Sequence, residues 1–554
     1  MPTSALPTAD PILDATYRAA GWWGADTLHS IVRRYAVQQP SATAFVDEHG
    51  DRMSWRRYDD LADEIASVLL ATGLERGERV VVFLPDTPVV HAAFVGAERA
   101  GLVVMGIGHR AGEAELDYLI RKSQARAIVT PANHRGEATD HLVKRLQIAH
   151  PTLVHHIVVD GPSSGTTIQR DGAVAPSFAS VDRATLAAQT EARHIGASEL
   201  FLLNSTSGTT GLPKCVMQTE NRWFYFHQQA QEFGDLRADD VFMSVVPAPF
   251  GFGLWTSHFT PSILGAPCVI TERFSADTMI QLIERERVTV LCCVSTQFIM
   301  MLNSPVLDQH DVSSLRVMFT GGEAIPYGRA LEFEHRTGGQ VLNFYGSNET
   351  GILSGTQVTD DNQHRLTSCG RVLSDMHVRL YTEAGARIDG DRGRGVPACK
   401  GPALSLGYYD DAEANEKLYI DDGWMLMGDV VEIDTDGWLT IVGRTSDFII
   451  RGGKNISAPA VEDEVATHPS VSLVAVVAAP DPVFGERVAA YVELHPGHTL
   501  TLDQLKAHLT ARGVSREWYP EYLHIADELP RASGAKVAKG ELKKDAATRF
   551  GTAR

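Results

Sequence analysis

Cysteine is scarce in this chain. Six residues in 554 stand at 215, 268, 292, 293, 369 and 399, with no Cys-x-x-Cys pair and no Cys/His cluster at zinc spacing. That excludes a disulfide framework and a zinc ribbon or finger. The adjacent Cys292 and Cys293 read as small buried hydrophobes, and a reducing, cytoplasmic setting is the expectation. No apolar run reaches the roughly 20 residues that span a bilayer, so no integral membrane segment is expected. The opening from Met1 to Asp14 has neither a basic start nor an apolar core, so no signal peptide is expected there. Positive charge is short as well: 50 Lys and Arg against 69 Asp and Glu leave a net charge of −19. A nucleic-acid partner is therefore not expected, although one local basic cleft for phosphates is compatible with that balance. Repeats and strong low-complexity tracts are also missing. An apolar fraction of 44% in a chain of this length allows a large core and several domain-sized units.

Against these absences one stretch stands out, Ser205-Thr206-Ser207-Gly208-Thr209-Thr210-Gly211-Leu212-Pro213-Lys214. It follows the apolar run Leu200 to Leu203, which reads as a buried strand. Glycines let backbone N–H groups approach phosphate oxygens, hydroxyls add donors, and a lysine offsets charge. ATP or a similar nucleotide is the first ligand to consider. The Walker A pattern does not fit, because counting from Gly208 puts Pro213 at the second glycine, and Cys215 follows Lys214.

Around this loop the chain alternates helix and strand signals. Ser54 reads as an N-cap, followed by Tyr58, Leu61, Ala62, Ile65, Ala66 and Leu69 at helical spacing, and Gly73 ends the helix. Val80 to Leu84 is a continuous apolar run, as in a strand covered on both faces, then Ala92 to Ala100 reads as helix and Leu102 to Ile107 as strand. Val288 to Val294 and Leu315 to Thr320 repeat the pattern. Gly161 to Gly172 reads as a surface loop. From about 365 to 445 short β-like runs with Gly and Asp turns suggest a small antiparallel, barrel-like unit, and after Arg444 a compact α+β unit follows. The expected fold is α/β: a large N-terminal domain of parallel βα subdomains plus the small β unit over 1–443, a hinge at 444–447, and a small mobile α+β domain over 448–554.

Further segments stand in order after the loop: Thr320-Gly321-Gly322-Glu323, Asn343-Phe344-Tyr345-Gly346-Ser347-Asn348-Glu349-Thr350, Trp424 to Asp429, Gly443-Arg444-Thr445-Ser446-Asp447, Gly452-Gly453-Lys454-Asn455, and Gly534-Ala535-Lys536. Together they resemble the adenylate-forming superfamily of acyl-CoA synthetases, peptide-synthetase adenylation domains and firefly luciferase, over about residues 28 to 545. The resemblance implies a loop from Thr206 through Ser207, Gly208, Thr209, Thr210 and Gly211 to Lys214 that holds the β and γ phosphates of ATP. It implies Gly322 and Glu323 against adenine, with Asn343 and Gly346 in the same cradle and Tyr345 stacked on the purine. Asp429 and Arg444 are implied for the ribose, and Glu349 for Mg2+, a hard cation that prefers oxygen. Lys536 is implied as the catalytic lysine that bridges the acid and the α-phosphate. Ser446 is implied as the hinge, and Gly452 and Gly453 as the strip lining a pantetheine tunnel.

The chain departs from the family pattern at several places. Cys215 replaces a glycine, Ala535 replaces the glycine before the catalytic lysine, and Asn348 stands where threonine is common, still able to donate to the α-phosphate. In Pro247 to Trp255, the segment that lines the acyl pocket in the family, Gly251 and Gly253 are expected to leave room, with Phe250, Phe252 and Trp255 as apolar walls. The substrate expected is a small-molecule carboxylic acid, a bulky aromatic, alicyclic or polycyclic one, without a second acid group, since no Lys or Arg lies in that segment. The implied activity is an ATP-dependent, AMP-forming acid–CoA ligase. One alternative is an aryl-acid adenylating enzyme that loads a phosphopantetheinyl carrier protein in trans, which the lysine-poor Ser515 to Pro520 favours. Another is a catalytically weak nucleotide-binding member of the fold. A homodimer is compatible with all three.

Overall fold

The computed structural model describes residues 6–162, 165–175, 182–206, 213–322, 325–444, 448–451, 454–531 and 536–551. Among these, two large mixed sheets form the body of the N-terminal part. The eight-stranded sheet runs 173–174, 167–170, 155–160, 127–130, 79–82, 103–106, 202–205, 215–218. The nine-stranded sheet runs 371–372, 351–355, 340–347, 317–321, 290–292, 242–244, 268–270, 43–46, 52–54. Central neighbours pair parallel and the edges pair antiparallel. Strands Val103–Gly106 and Ala127–Thr130 are buried at every position, which is why their sequences are apolar without alternation.

The helix expected after Ser54 spans Trp55–Leu70, with the Ser54 hydroxyl accepting from the Arg57 N–H. Its expected apolar stripe is buried throughout. Helix Pro88–Arg99 packs across it, and Arg99, fully buried, donates to Asp59 at 2.6 Å and Asp63 at 2.8 Å. Removing one member of such a trio leaves an uncompensated buried charge, worth about 3–5 kcal/mol.

A six-stranded antiparallel sheet made from residues 377–444 follows, in the place expected for the small β unit. Beyond it a C-terminal sheet orders 454–457, 448–451, 485–494 and 471–481, with 522–525 also on 485–494, and helices Ala458–Ala466, Leu502–Ala511 and Lys539–Arg549 cover it. One expectation fails. The tract Gly161 to Gly172 is not all loop: Thr167–Arg170 pairs antiparallel with His155–Asp160, because Ile168 supplies an inward apolar residue on that hairpin. The six cysteines are all buried and none forms a disulfide. Among the described residues no helix is long and apolar enough to cross a membrane.

The carboxyl ends of the strands in both large sheets open on one crevice. Asn204, one residue before the end of one strand, is bonded to Asn348, which follows the end of another in the second sheet. In open α/β sheets such a crevice is where ligands bind.

Candidate active site

Two paired strands flank the loop singled out in the sequence. Strands Leu202–Ser205 and Cys215–Gln218 pair antiparallel with Ser205 opposite Cys215. The Thr206 N–H donates to the Lys214 carbonyl at 2.9 Å, and the Lys214 N–H donates to Thr206 Oγ1 at 3.2 Å. These two bonds pin the base of the loop. Ser207, Gly208, Thr209, Thr210 and Gly211 lie outside the described residues. Burial pushes the Cys215 thiol up to about 12, so it stays neutral.

Lys214 Nζ lies 4.7 Å from the centroid of the Tyr408 ring, and the Tyr408 hydroxyl donates to Glu349 Oε1 at 2.7 Å. One tyrosine therefore touches both the loop lysine and the acid expected at the metal. Burial, then the neighbouring Glu349, pushes the Tyr408 phenol upward, so it remains a donor. The segment that carries it is stitched to its surroundings: the Ser405 N–H donates to the Glu349 carbonyl at 2.8 Å, Leu406 and Met217 bond to each other's segments, and the Tyr409 N–H donates to the Cys215 carbonyl at 2.8 Å. Arg222, 1% exposed, donates to the Asn348 carbonyl at 2.9 Å and the Ala403 carbonyl at 2.8 Å. Burial pulls its guanidinium down to about 9, still cationic at neutral pH. Among the described residues no group of three or more His, Cys, Asp or Glu is placed to hold a metal. A magnesium ion carried in on phosphates needs only one or two carboxylates, and Glu349 fits that donor set.

Across the crevice Tyr345, 2% exposed, donates from its hydroxyl to Asp429 Oδ2 at 2.9 Å. The groups expected at purine and ribose are thus tied together, and Asp429 pairs in register with Arg444 on the next strand. Asn343 donates through Nδ2 to the Ser368 carbonyl at 3.0 Å, while its buried Oδ1 has no protein partner among the described residues. An orphaned buried acceptor at this point fits the amino group of an adenine. Gly322 has φ +80°, in the left-handed region that favours glycine, and its carbonyl accepts from Lys536 Nζ at 2.7 Å across 214 residues of sequence. A Cβ at 322 would collide with that ammonium. Glu323, Ser446, Gly452, Gly453 and Ala535 lie outside the described residues.

The acyl segment needs a correction. Its glycines do not open space. A Cβ at Gly253 would run into the Pro247 carbonyl, and one at Gly251 would sit 2.7 Å from Asn348 Oδ1. Both permit close approach instead. Trp255 is buried and packs within 4.7–5.6 Å, centroid to centroid, of Phe226, Phe344, Phe319 and Phe252. Phe250 and Phe252 remain half-buried, and Phe250 lies against Gly108.

Sequence reasoning missed Tyr408, Arg222, Asn204 and Gln218. Gln218 did leave a signal, as the polar residue closing an otherwise apolar strand, and so did Asn204, a buried polar residue next to the last of its own. It also missed a cationic rim. Arg110, Arg135 and Arg273 are exposed and form no ion pair among the described residues, and they surround the half-buried pair His109 and His134, whose rings bond at 2.9 Å. Arg135 donates to the Arg110 carbonyl at 2.8 Å. Burial, then His134, Arg273 and Arg135, pulls His109 down to about 4.

The model of the AMP-binding enzyme family matches residues 32–409, and that of the AMP-binding enzyme C-terminal domain matches 460–536. A medium-chain fatty-acid–CoA ligase of Escherichia coli (strain K12) is 30% identical over 96% of this chain and 92% of that protein. A salicylyl-CoA synthase / salicylate adenylyltransferase of a Streptomyces species is 31% identical over 95% of each. Among solved structures, that of the anthranilate CoA ligase AuaEII with anthranoyl-AMP superposes with a TM-score of 0.82 at 21% identity, covering 95% of this chain and 98% of that one. At that identity the superposition speaks for the fold.

Proposed function

We propose, on the premise that this chain belongs to the AMP-binding enzyme family and is an adenylate-forming acid ligase, that it makes an acyl-CoA from a ring-bearing carboxylic acid. The observation that carries the adenylation half is the docking of Lys536 Nζ on the Gly322 carbonyl. It sets a cation just past strand Val317–Gly321, where negative charge builds as a carboxylate oxygen of the acid attacks the α-phosphate and pyrophosphate leaves. Thr206 to Lys214 would cradle the outer phosphates. Asn343 and Gly322, with Glu323, would take the adenine and Tyr345 its ring, while Asp429 and Arg444 take the ribose. Magnesium, when bound at Glu349, would neutralise phosphate charge. Rotation about 444–447 would then exchange Lys536 for the Gly452-Gly453 face, and the thiol would attack the acyl-adenylate with release of AMP.

The aromatic cluster around Trp255 supports a flat ring as the acid's body, and the close approach at Gly253 removes the reason to favour a polycyclic one. Coenzyme A as acceptor is supported by Arg110 and Arg135: two exposed guanidiniums that form no ion pair among the described residues suit a phosphorylated nucleotide. The carrier-protein reading rests on the lysine-poor Ser515 to Pro520.

Mass spectrometry of reactions with Mg-ATP, a panel of benzoic, phenylacetic, alicyclic, fatty and steroid acids, and either CoA or a phosphopantetheinyl carrier protein tests this. Acyl-CoA from a ring acid is expected. Arg110→Glu with Arg135→Glu should raise the KM for CoA about tenfold or more and leave acid-dependent pyrophosphate exchange within threefold. Lys536→Ala should lower that exchange at least 100-fold and spare thioester formation from added acyl-adenylate. Thioester on the carrier alone would overturn the CoA reading.

A further inference from the structure

Four side chains next to Glu349 form a hydrogen-bond network whose donor sense is set from one end. Arg222 starts it, and a guanidinium has only donors. It donates to Gln218 Oε1. The Gln218 amide therefore turns its nitrogen the other way, and Nε2 donates to Asn204 Oδ1 at 2.9 Å and Asn348 Oδ1 at 3.3 Å. Asn204 and Asn348 then pair reciprocally. Asn204 Nδ2 donates to Asn348 Oδ1 at 2.9 Å, and Asn348 Nδ2 donates to Asn204 Oδ1 at 2.8 Å. Asn204 and Gln218 are fully buried, and Gly251 closes on Asn348 Oδ1 from the acyl loop.

This arrangement consumes both lone pairs of Asn348 Oδ1 and one of its two N–H groups. The second N–H has no protein partner among the described residues, on a side chain that is half-buried beside Glu349. A threonine hydroxyl at this position could rotate to donate or accept. An asparagine amide has two ends, and flipping it would present an acceptor to anionic oxygens.

We propose that Asn204, with Gln218, is a positioning residue that locks the amide of Asn348 so that a donor faces the reacting carboxylate and phosphate oxygens. The inference rests on the adenylation reading above. The device is needed because asparagine stands at 348; it has no task if a hydroxyl stands there. Asn204 acts through Asn348 and touches no substrate.

The test is a double-mutant comparison on the full chain, read by acid-dependent ATP–pyrophosphate exchange and by titration calorimetry of AMP. Asn204→Leu, close in shape, should lower kcat for exchange about 10- to 30-fold, with KM for ATP and the Kd for AMP within threefold. Placed in the Asn348→Thr background, the same substitution should change kcat less than threefold. A second variant, Gln218→Met, keeps the length and removes the Nε2 donor that fixes the sense of the Asn204–Asn348 pair, so it covers the case in which leucine prevents folding. It should lower kcat with Asn348 present and not in the Asn348→Thr background. Equal losses in both backgrounds, or no loss with Asn348 present, would overturn the proposal. Absence of exchange in the wild-type protein with every acid tried would instead overturn the adenylation reading itself.

Discussion

Replacing Tyr408 by phenylalanine removes one oxygen and keeps the ring. The lost hydroxyl donates at 2.7 Å to Glu349 Oε1, while the ring stays under Lys214 Nζ at 4.7 Å. A hydrogen bond to a charged partner contributes about 1.5–3 kcal/mol, which is about 10- to 100-fold in rate if it acts wholly in the transition state. The backbone around Glu349 keeps two anchors, from the Ser405 N–H and from Arg222 to the Asn348 carbonyl. Only the carboxylate rotamer is loosened, so about tenfold in kcat/KM is expected. Because the group that is loosened is the one proposed to hold magnesium, the loss should show as a higher Mg2+ concentration for half-maximal pyrophosphate exchange. KM for the acid should move less than threefold. In a Glu349→Gln background the same change should add little, since the charge that the hydroxyl steadies is gone. A Tyr408→Phe enzyme with wild-type Mg2+ dependence, or an undiminished effect in the Glu349→Gln background, would refute the reasoning.

Two more outcomes follow from packing and burial. Glu220 and Glu98 lie against each other inside the N-terminal part, where burial pushes Glu98 up to about 8 and Glu220 well above its ordinary value of 4.5, with Glu98 beside it adding to the rise. The folded state holds protons that the unfolded chain releases near 4.5, so this stabilisation is complete below that pH and is lost as pH rises through about 8. Glu220→Gln keeps the acceptor for the Leu28 N–H, and its thermal midpoint between pH 6 and 9 should fall less steeply than that of the wild type; parallel slopes would refute this. Gly253→Ala should destabilise by about 2 kcal/mol or more in denaturant titration, since its methyl meets the Pro247 carbonyl, whereas Gly328→Ala, inside helix Tyr327–Thr337 with nothing within 4 Å, should stay near wild type or above it.

The parts of the fold legible in the sequence were those set by local chemistry. The helix Trp55–Leu70 announces itself by a cap and a stripe, and the strand around Val80 to Val82 by an apolar run. The tract Gly161 to Gly172 misled because its Gly, Ser and Thr content suits a loop, while the pairing of Thr167–Arg170 with His155–Asp160 is decided by the partner strand. In the site, Lys214, Glu349, Asp429 and Lys536 could be named from ordered motifs. Tyr408 could not, because its meaning lies in touching two of them at once. Nor could the role of Gly253, which depends on a carbonyl that the loop folds back upon itself.

The arrangement also explains why so many motifs, far apart in sequence, have to be kept in one order. The hairpin of Leu202–Ser205 and Cys215–Gln218 belongs to the eight-stranded sheet, Asn348 and Glu349 follow the last long strand of the nine-stranded sheet, and Asp429 sits in the third. Each sheet alone offers a half-site. The segment 405–409 joins them: it bonds to the hairpin through Met217 and Cys215, to Glu349 through the Ser405 N–H, and to the carboxylate through Tyr408. Arg222, on the helix that follows the hairpin, reaches the same two residues of the second sheet from behind. A cation and a carboxylate held by one tyrosine, with the backbone on either side bonded to a third element, cannot drift apart without breaking several hydrogen bonds together. Among the described residues the loop lysine and the Glu349 carboxylate are thus placed by the fold itself, while Lys536 reaches the Gly322 carbonyl from the C-terminal end of the chain.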